Sequence, residues 1–257
     1  MSAPTSFDII IIGGGPGGYV AAIRAAQLGM KPAIVEREHL GGICLNWGCI
    51  PTKALLRAAE LRHSVDEMKD FGITVGEVSI DLPAVVKRSR KVAGQLSMGV
   101  KHLLKKNKIP VFDAVASLGK KTGEGRSVVL STGEALQAGN VIIATGARAR
   151  AIPGMDADGK TILTYREAMV PETMPKSLLI VGSGAIGAEF ASFYNDMGVE
   201  VTLIEALDRI LPVEDAEISD FVHKAFTKRG IKIITGATLA SLKSGKGGAL
   251  ASFEGEL

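Results

Sequence analysis

The sequence predicts an α/β protein built from two βαβ units of similar design, and two observations carry this prediction. First, an apolar strand pattern, a glycine-rich turn and a helical pattern follow one another twice, at residues 7–28 and again at residues 177–197. Second, each copy continues into another strand pattern that ends in an acidic residue, Glu36 in the first copy and Glu205 in the second. The repetition indicates an internal duplication of one folding unit.

The composition is that of a folded protein and excludes several other classes. Of the 257 residues, 46% are hydrophobic and 22% are charged, which separates the chain from disordered sequences. No apolar run reaches the ~18 residues that a membrane-spanning helix needs, and the first residues lack the pattern of a signal peptide. We therefore expect a cytoplasmic location. The net charge of +3 is spread along the chain, so we expect neither a nucleic-acid nor a membrane partner.

Turn signals around Pro153-Gly154 predict a boundary between a first domain, residues 1–147, and a second domain, residues 148–257. The predicted elements of the first domain are strands at 7–12, 32–36, 111–115 and 140–144, a hairpin at 127–137, and helices at 19–28, 49–63 and 82–106. Those of the second domain are strands at 177–181, 199–205, 231–234, 238–242 and 249–253, and helices at 188–197 and 216–228.

Each glycine-rich turn has the spacing that dinucleotide-binding turns use. The turns read Gly13-Gly14-Gly15-Pro16-Gly17-Gly18 and Gly182-Ser183-Gly184-Ala185-Ile186-Gly187. The first glycine of such a turn permits the tight bend, the second lets backbone amides approach a diphosphate, and the third lets the helix pack close to the strand. The helix N-terminus then faces the negative charge. One such turn alone is as often a packing device, but two complete copies predict two dinucleotide sites.

Two dinucleotide sites in one chain predict a relay of electrons between a resident flavin and an exchanging nicotinamide. The first turn is followed by a cysteine-containing segment, which favours it as the flavin site. In the second, Glu205 would repel a 2′-phosphate, and its hydrogen bonds to a free ribose would contribute roughly 1.5–3 kcal/mol as charged contacts. The sequence therefore favours NAD over NADP, although Arg209 lies close by in sequence.

The chain has two cysteines, Cys44 and Cys49, so a four-cysteine zinc site is excluded and no metal site is expected. On an ideal helix, residues five apart point ~140° away from each other, whereas a disulfide needs Cα atoms roughly 4.4–6.8 Å apart. A disulfide here therefore requires a distorted helix start, which Gly48 and Pro51 would permit. The alternative is two buried thiols that act as small apolar side chains. Lys53 is either a cation that lowers a thiol pKa or an ordinary surface lysine.

The chain closely resembles the dihydrolipoamide dehydrogenases, which belong to the flavin-dependent pyridine nucleotide-disulfide oxidoreductases. The residues that carry the resemblance are Gly41–Lys53, both glycine turns, Ala144-Thr145-Gly146 and the run Gly182–Glu189. The cysteine segment is most similar to that of bacterial members. The resemblance covers essentially the whole chain. It implies two Rossmann-like domains of the three-layer ββα type, for FAD and then for NAD. Family members are about twice as long, so the resemblance also implies that the second domain is truncated here and that a C-terminal interface domain is absent.

The resemblance implies a role for individual residues. Cys44 would exchange with the substrate thiol, and Cys49 would face the flavin. Lys53 and Glu189 would form an ion pair beside the reactive nitrogen of the flavin. Besides the first glycine turn, Cys44 and Lys53, the implied FAD-binding residues are Glu36, Arg37, Gly42, Ala114, Thr145, Gly146 and Ala147. Besides the second glycine turn and Glu189, the implied NAD-binding residues are Glu205 and Thr238.

The family reaction oxidises dihydrolipoamide to lipoamide and passes the electrons through the disulfide and FAD to NAD. The implied partners are a lipoyl domain of a 2-oxoacid dehydrogenase complex and a second copy of the chain, because the family is homodimeric. The family's catalytic base is the histidine of a His-Pro-Thr motif, which none of the four histidines here matches. We therefore expect the 257-residue chain alone to be nearly inactive. The alternatives are another flavin disulfide reductase, of the glutathione or mercuric type, and a non-catalytic flavin- or nucleotide-binding protein.

Overall fold

The computed structural model describes residues 6–123, 125–150, 152–245 and 247–255. The chain divides into two compact units, one formed by the residues up to Pro51 with Arg90–Arg148 and the other by Thr52–Ser89 with the residues from Ala149 onward. The boundary in the chain lies beside the one expected at residues 147 and 148. Sequence order assigned residues 52–89 to the first half, whereas in the structure they group with the second unit.

The first unit contains a six-stranded sheet. Its elements are β1 (Ser6–Ile12), α1 (Pro16–Gln27), β2 (Pro32–Glu36), α2 (Gly42–Trp47), the start of α3 (Cys49–Glu67), most of α4 (Leu82–Lys106), β3 (Val111–Asp113), β4 (Ala116–Thr122), β5 (Gly125–Leu130) and β6 (Ala135–Ile143). The strand order is β3-β2-β1-β6-β5-β4. The strands β3, β2, β1 and β6 are parallel, and β5 and β4 complete the sheet as an antiparallel extension.

The prediction of two separate strands at 135–137 and 140–144 was wrong, because β6 is one continuous strand. Its first half pairs antiparallel with β5, as in Arg126 opposite Ala138. Its second half pairs parallel with β1, as in Ile12 opposite Ile143. The strand β6 lies between β5 and β1, and Gln137 and Ala138 pair with both neighbours. Its neighbour β5 covers only its first residues, so the burial of its side chains does not follow a single alternation along its length.

The central parallel strands β1 and β2 are buried on both faces. Ile10 of β1 belongs to one apolar cluster, with Val35, Val128 and Leu136. Its neighbour Ile11 belongs to a second cluster on the other face, with members of α1, α2 and α4. Because successive strand residues point to opposite faces, a strand covered on both sides appears in the sequence as an unbroken apolar run.

The second unit contains a smaller parallel sheet and a separate hairpin. Its elements are the rest of α3, a 3-10 helix (Met68–Phe71), the start of α4, then α5 (Tyr165–Ala168), β7 (Ser177–Val181), α6 (Ala185–Asp196), β8 (Glu200–Ile204), α7 (Ala216–Lys228), β9 (Lys232–Ile234), β10 (Thr238–Gly245) and β11 (Gly248–Glu254). The parallel order is β7-β8-β9, and β10 pairs antiparallel with β11.

Each unit contains the predicted βαβ arrangement, so the α/β class is confirmed. The predicted bounds of β2, β7, α4 and α7 match the structure. The helices α1 and α6 each begin three residues earlier than predicted, because Pro16 and Ala185 are already helical. The strand β4, the helix α5 and the separate helix α2 were not predicted from the sequence. Within the described ranges, no helix is long and apolar enough to cross a membrane.

Candidate dinucleotide sites and cysteine pair

The first glycine turn connects β1 to α1 in a conformation that excludes side chains at two positions. Gly13 has a φ of 109°, and a Cβ there would lie 2.2 Å from the carbonyl oxygen of Ala144. A Cβ at Gly18 would lie 1.8 Å from the carbonyl oxygen of Gly13. Gly15 is the N-cap of α1 and Pro16 its first residue, which is a favoured position for proline. The free amides at the start of α1 therefore adjoin a backbone cradle, as an anion site requires.

The second turn, between β7 and α6, repeats this geometry in the other unit. Gly182 has a φ of 96°, and a Cβ at Gly187 would lie 1.9 Å from the carbonyl oxygen of Gly182. Gly184 is the N-cap of α6, and Ala185 is its first residue. Ile186 is exposed. The duplication seen in the sequence is thus present in the backbone. In both turns the first glycine has a positive φ, and a Cβ at the third glycine would clash with the carbonyl oxygen of the first.

A carboxylate closes the first turn. Glu36, the last residue of β2, accepts a hydrogen bond from the backbone N–H of Gly14 on Oε2 at 2.6 Å. Its Oε1 accepts one from the backbone N–H of Glu38 at 2.8 Å. Each carboxylate oxygen has further lone pairs, so Glu36 can still accept from ribose hydroxyls. Arg37 follows at an exposed position.

The corresponding carboxylate of the second turn is held more tightly. Glu205 Oε2 accepts from both the backbone N–H and the hydroxyl of Ser183, at 2.9 and 2.8 Å, and Oε1 accepts from the backbone N–H of Leu207 at 3.0 Å. Burial raises the pKa of Glu205, but these hydrogen bonds outweigh it and hold the pKa below its ordinary value. The group is therefore a fixed negative charge. Ser183 was not selected from the sequence. The difference between the two turns was visible there, because the second turn has Ser183 where the first has Gly14.

The cysteine segment lies against the first glycine turn. The backbone N–H of Gly41 donates to the carbonyl oxygen of Gly14 at 2.8 Å. Gly42 has a φ of 57°, and a Cβ there would lie 2.7 Å from the Cα of Gly15. Only a residue without a side chain permits this approach of two backbones. The fold therefore places the start of α2 beside the cradle at the start of α1.

The two cysteines lie on either side of a helix break. Cys44 is a half-buried residue of α2, and Cys49 is the exposed first residue of α3. Gly48 between them has φ −147° and ψ −119°, which is not helical, so the predicted distortion is confirmed there. Pro51 lies in the first turn of α3, where proline is tolerated, and causes no break. The pairing of the two cysteines in a disulfide stays a prediction.

Three residues that the sequence analysis did not select hold the end of α2. The guanidinium of Arg90, on α4, donates to the carbonyl oxygen of Asn46 and lies 4.1 Å from the ring centroid of Trp47. The Asn46 side chain accepts from the hydroxyl of Ser97 at 3.0 Å. It also donates to the carbonyl oxygens of Leu40 and Gly42 at 3.0 and 2.9 Å. All of these residues belong to the first unit.

Lys53 and Glu189 form the expected ion pair, with Nζ and Oε1 3.1 Å apart. Their side chains are 64% and 32% exposed, respectively. Removing one partner of a buried ion pair typically destabilises a protein by ~3–5 kcal/mol, but this pair is too exposed for that range to apply. An exposed pair contributes about 0–1 kcal/mol to the free energy of unfolding. Both residues lie in the second unit.

A cavity of about 530 Å³ adjoins Lys53. It is lined by α3, α6 and the end of α7, and Asp196 is its most buried acid. Oδ1 of Asp196 lies 2.5 Å from Nη2 of Arg229 and 3.5 Å from Nδ1 of His63. His63 lies on a helix face, as expected for a histidine without a catalytic sequence context. The described residues contain no cluster of three or more His, Cys, Asp or Glu that could hold a metal ion.

The remaining predicted site residues lie at strand ends. Ala114 is buried directly after β3, and its N–H donates to the backbone oxygen of Glu36. Thr145, Gly146 and Ala147 are exposed residues that follow β6.

Thr238 is the exposed first residue of β10. Its neighbour Ala237 donates a backbone hydrogen bond to the carbonyl oxygen of Glu205 at 3.1 Å. The role of Thr238 in NAD binding stays a prediction.

Two turns of dinucleotide-binding geometry, one of them beside a cysteine pair, define the class of nucleotide-dependent disulfide oxidoreductases. The chain belongs to this class as a member of the pyridine nucleotide-disulphide oxidoreductase family, whose profile matches residues 7–255. Among curated proteins it is 54% identical to a dihydrolipoyl dehydrogenase of Zymomonas mobilis over 252 residues, and 53% identical to one of Rhizobium etli. These alignments cover 97% of this chain but 53% and 55% of the relatives.

Two solved structures have the same fold as this chain. LpdA from Mycobacterium tuberculosis superposes with a TM-score of 0.87 at 29% identity, covering 98% of this chain and 56% of that protein. The HOCl-induced flavoprotein disulfide reductase RclA from Escherichia coli superposes with a TM-score of 0.78 at 26% identity, covering 96% of this chain and 53% of that protein. The resemblance drawn from the sequence is thereby confirmed. The chain spans about half the length of the relatives it matches.

Proposed function

We propose that this chain carries the FAD site, the NAD site and the redox-active cysteines of a dihydrolipoyl dehydrogenase. The observation that carries the proposal is the approach of the cysteine segment to the first glycine turn, through Gly41 to Gly14 and Gly42 to Gly15. Dihydrolipoyl dehydrogenases use FAD and NAD. The activity is proposed for the whole protein, because the chain spans about half of its relatives.

The residues of the first turn fit a flavin dinucleotide. The backbone cradle at Gly13 and Gly15 offers amides and a helix N-terminus to a diphosphate, and a side chain at Gly13 or Gly18 would clash with the backbone that shapes it. Glu36 retains capacity to accept from ribose. The bound flavin would supply the two-electron acceptor for the reduced cysteine pair.

The residues of the second turn fit a nicotinamide dinucleotide without a 2′-phosphate. Gly182 and Gly184 provide the second cradle, and Glu205 is the fixed negative charge beside it. A 2′-phosphate would bring a further negative charge toward that carboxylate, which is unfavourable. This arrangement favours NAD over NADP and weighs against the glutathione- and mercury-type alternatives, whose relatives mostly use NADPH.

The chemistry of the chain itself is thiol-disulfide exchange. In the oxidised protein, a thiolate of dihydrolipoamide attacks the sulfur of Cys44 in a Cys44–Cys49 disulfide, and Cys49 leaves as a thiolate. The second substrate thiolate then attacks the mixed disulfide and releases Cys44. Two substrate thiols have become one disulfide, the cysteine pair has gained two electrons, and two protons are released or transferred to the cysteine sulfurs.

The side chains near the pair have supporting roles in this proposal. Cys49 lies at the N-terminus of α3, where a thiolate is stabilised by the helix dipole. Lys53 is held by Glu189 at 3.1 Å, which fixes its charge one helical turn further along α3. The proposed partners are a lipoyl domain of a 2-oxoacid dehydrogenase complex and a second copy of the chain.

The test is alkylation and mass spectrometry of the purified chain loaded with FAD. We expect a Cys44–Cys49 disulfide in the oxidised protein and two alkylated thiols after one equivalent of dihydrolipoamide. Cys44→Ser and Cys49→Ser variants are the controls, since each should leave one thiol that alkylates in both states. Two alkylated thiols in the oxidised parent protein would contradict the proposed function.

A second arm compares substrates. Reduction of the disulfide by dihydrolipoamide but not by glutathione favours the proposed activity. Equal reduction by both thiols would favour a broader disulfide reductase, the class in which RclA falls.

A further inference from the structure

The contacts at the carboxyl end of α2 point to a residue outside the cysteine segment. We infer that Arg90 is a positioning residue for the cysteine pair: by holding the end of α2, it sets Cys44 relative to Cys49 and favours their disulfide over two thiols. The inference rests on the proposed redox role of the two cysteines.

The short helix α2 cannot satisfy its own C-terminal carbonyl groups, because the last four of any helix lack intrahelical partners. The guanidinium of Arg90 donates to one of them, the carbonyl oxygen of Asn46. A cation at this end of a helix also interacts favourably with the helix dipole. Burial lowers the pKa of Arg90, so part of its hydration has been exchanged for these contacts.

The same guanidinium lies over Trp47, with 4.1 Å between its central carbon and the ring centroid. Arginine in this position combines a planar donor with a cation–π contact, which lysine cannot reproduce. One side chain of α4 therefore holds two successive residues of the segment, Asn46 through its backbone and Trp47 through its ring.

A second contact from α4 makes the attachment specific to one orientation. Ser97 is seven residues after Arg90, almost two full helical turns, and so lies on the same face of α4. Its hydroxyl donates to the side-chain oxygen of Asn46 at 3.0 Å. The amide nitrogen of Asn46 binds the start of its own segment at Leu40 and Gly42. The end of α2 is thus fixed to α4 and to the loop that precedes α2.

This attachment matters because only a short, non-helical link separates the two cysteines. Cys44 moves with α2, Cys49 begins α3, and Gly48 between them has the backbone freedom of glycine. A disulfide tolerates only a narrow range of Cα separations. Releasing the end of α2 would let the Gly48 joint sample other conformations, which lowers the effective concentration of one sulfur at the other.

The experiment measures the equilibrium between the cysteine pair and dithiothreitol in the FAD-free chain. Two cysteine thiols lose two electrons and two protons to form one disulfide, and oxidised dithiothreitol takes up both to become the dithiol. The populations are trapped by alkylation and counted by mass spectrometry over a range of dithiothreitol ratios. In Arg90→Met, we expect the equilibrium constant for disulfide formation to fall about tenfold, as loss of one charged hydrogen bond implies. In Arg90→Lys, we expect a smaller fall.

Lys91→Met is the matched control, because it removes a cation from an exposed neighbouring position on α4 and should leave the constant unchanged. Constants within twofold of the parent for both Arg90 variants would overturn the inference. If Arg90→Met does not fold, as judged by thermal unfolding, the same equilibrium constant is measured for Arg90→Lys and Trp47→Leu. Constants within twofold of the parent for both of these variants would then overturn the inference. A parent chain that forms no disulfide at any ratio would instead refute the proposed redox role, so the two failures are distinguishable.

Discussion

Neutralising Glu205 should change the ratio of the affinities for NADH and NADPH. Glu205→Gln keeps the size of the side chain and removes its charge. The carboxylate accepts from the N–H and hydroxyl of Ser183 on one oxygen and from the N–H of Leu207 on the other. A glutamine presents one acceptor oxygen and one donor group, so one of these two sides loses its acceptor, which costs about 1–3 kcal/mol of stability.

The effect on binding follows from charge. A hydrogen bond from ribose to a carboxylate contributes ~1.5–3 kcal/mol and one to a neutral amide ~0.5–1.5 kcal/mol, so NADH affinity should fall about tenfold. Repulsion of a 2′-phosphate disappears in Glu205→Gln. At an effective dielectric constant near 20, two unit charges ~8 Å apart repel by about 2 kcal/mol, so NADPH affinity should rise about tenfold or more. The ratio of the two affinities should therefore narrow by about a hundredfold.

The assay is fluorescence titration of the chain with NADH and with NADPH, with thermal unfolding to confirm that each variant is folded. Asp208→Asn is the matched control, because it removes an exposed acid three residues further along the same loop and should leave the ratio unchanged. An unchanged NADH/NADPH ratio in folded Glu205→Gln would show that the carboxylate does not select the nicotinamide cofactor.

Three further predictions follow from the structure. Gly18→Ala should abolish FAD retention, measured by absorbance after gel filtration, because the new Cβ would lie 1.8 Å from the carbonyl oxygen of Gly13; normal retention would refute this steric role. Lys53→Met should lower stability by less than about 1 kcal/mol in urea unfolding, because its ion pair is exposed, and a loss above about 2 kcal/mol would contradict that reading. Hydrogen bonds from backbone N–H groups, that of Ile162 first, hold the pKa of Asp158 well below its usual range. A depressed carboxyl pKa gives stability that is present above about pH 4 and is lost as pH falls below it, so Asp158→Asn should reduce the acid dependence of unfolding; an unchanged pH profile would refute the linkage.

The sequence determined the features that depend on local sterics and on burial. The glycine turns could be read directly, because the positive φ of Gly13 and the contact of Gly18 with the carbonyl oxygen of Gly13 exclude other residues. The break at Gly48 could be inferred, because two cysteines five apart on an intact helix point in different directions. The central parallel strands β1 and β2 appeared as apolar runs, since both of their faces are covered.

The tertiary structure alone decided the features that depend on residues far apart in the chain. Arg90 reaches Asn46 across 44 positions, and Ser97 reaches it across 51, which no local pattern records. The continuity of β6 depended on its pairing with β5 on one edge and with β1 on the other. The exposure of the Lys53–Glu189 pair, and with it the small energy of the pair, depended on what surrounds it in space. Local sequence fixes backbone conformation because it acts through neighbouring atoms, whereas burial and long-range pairing exist only once the chain has folded.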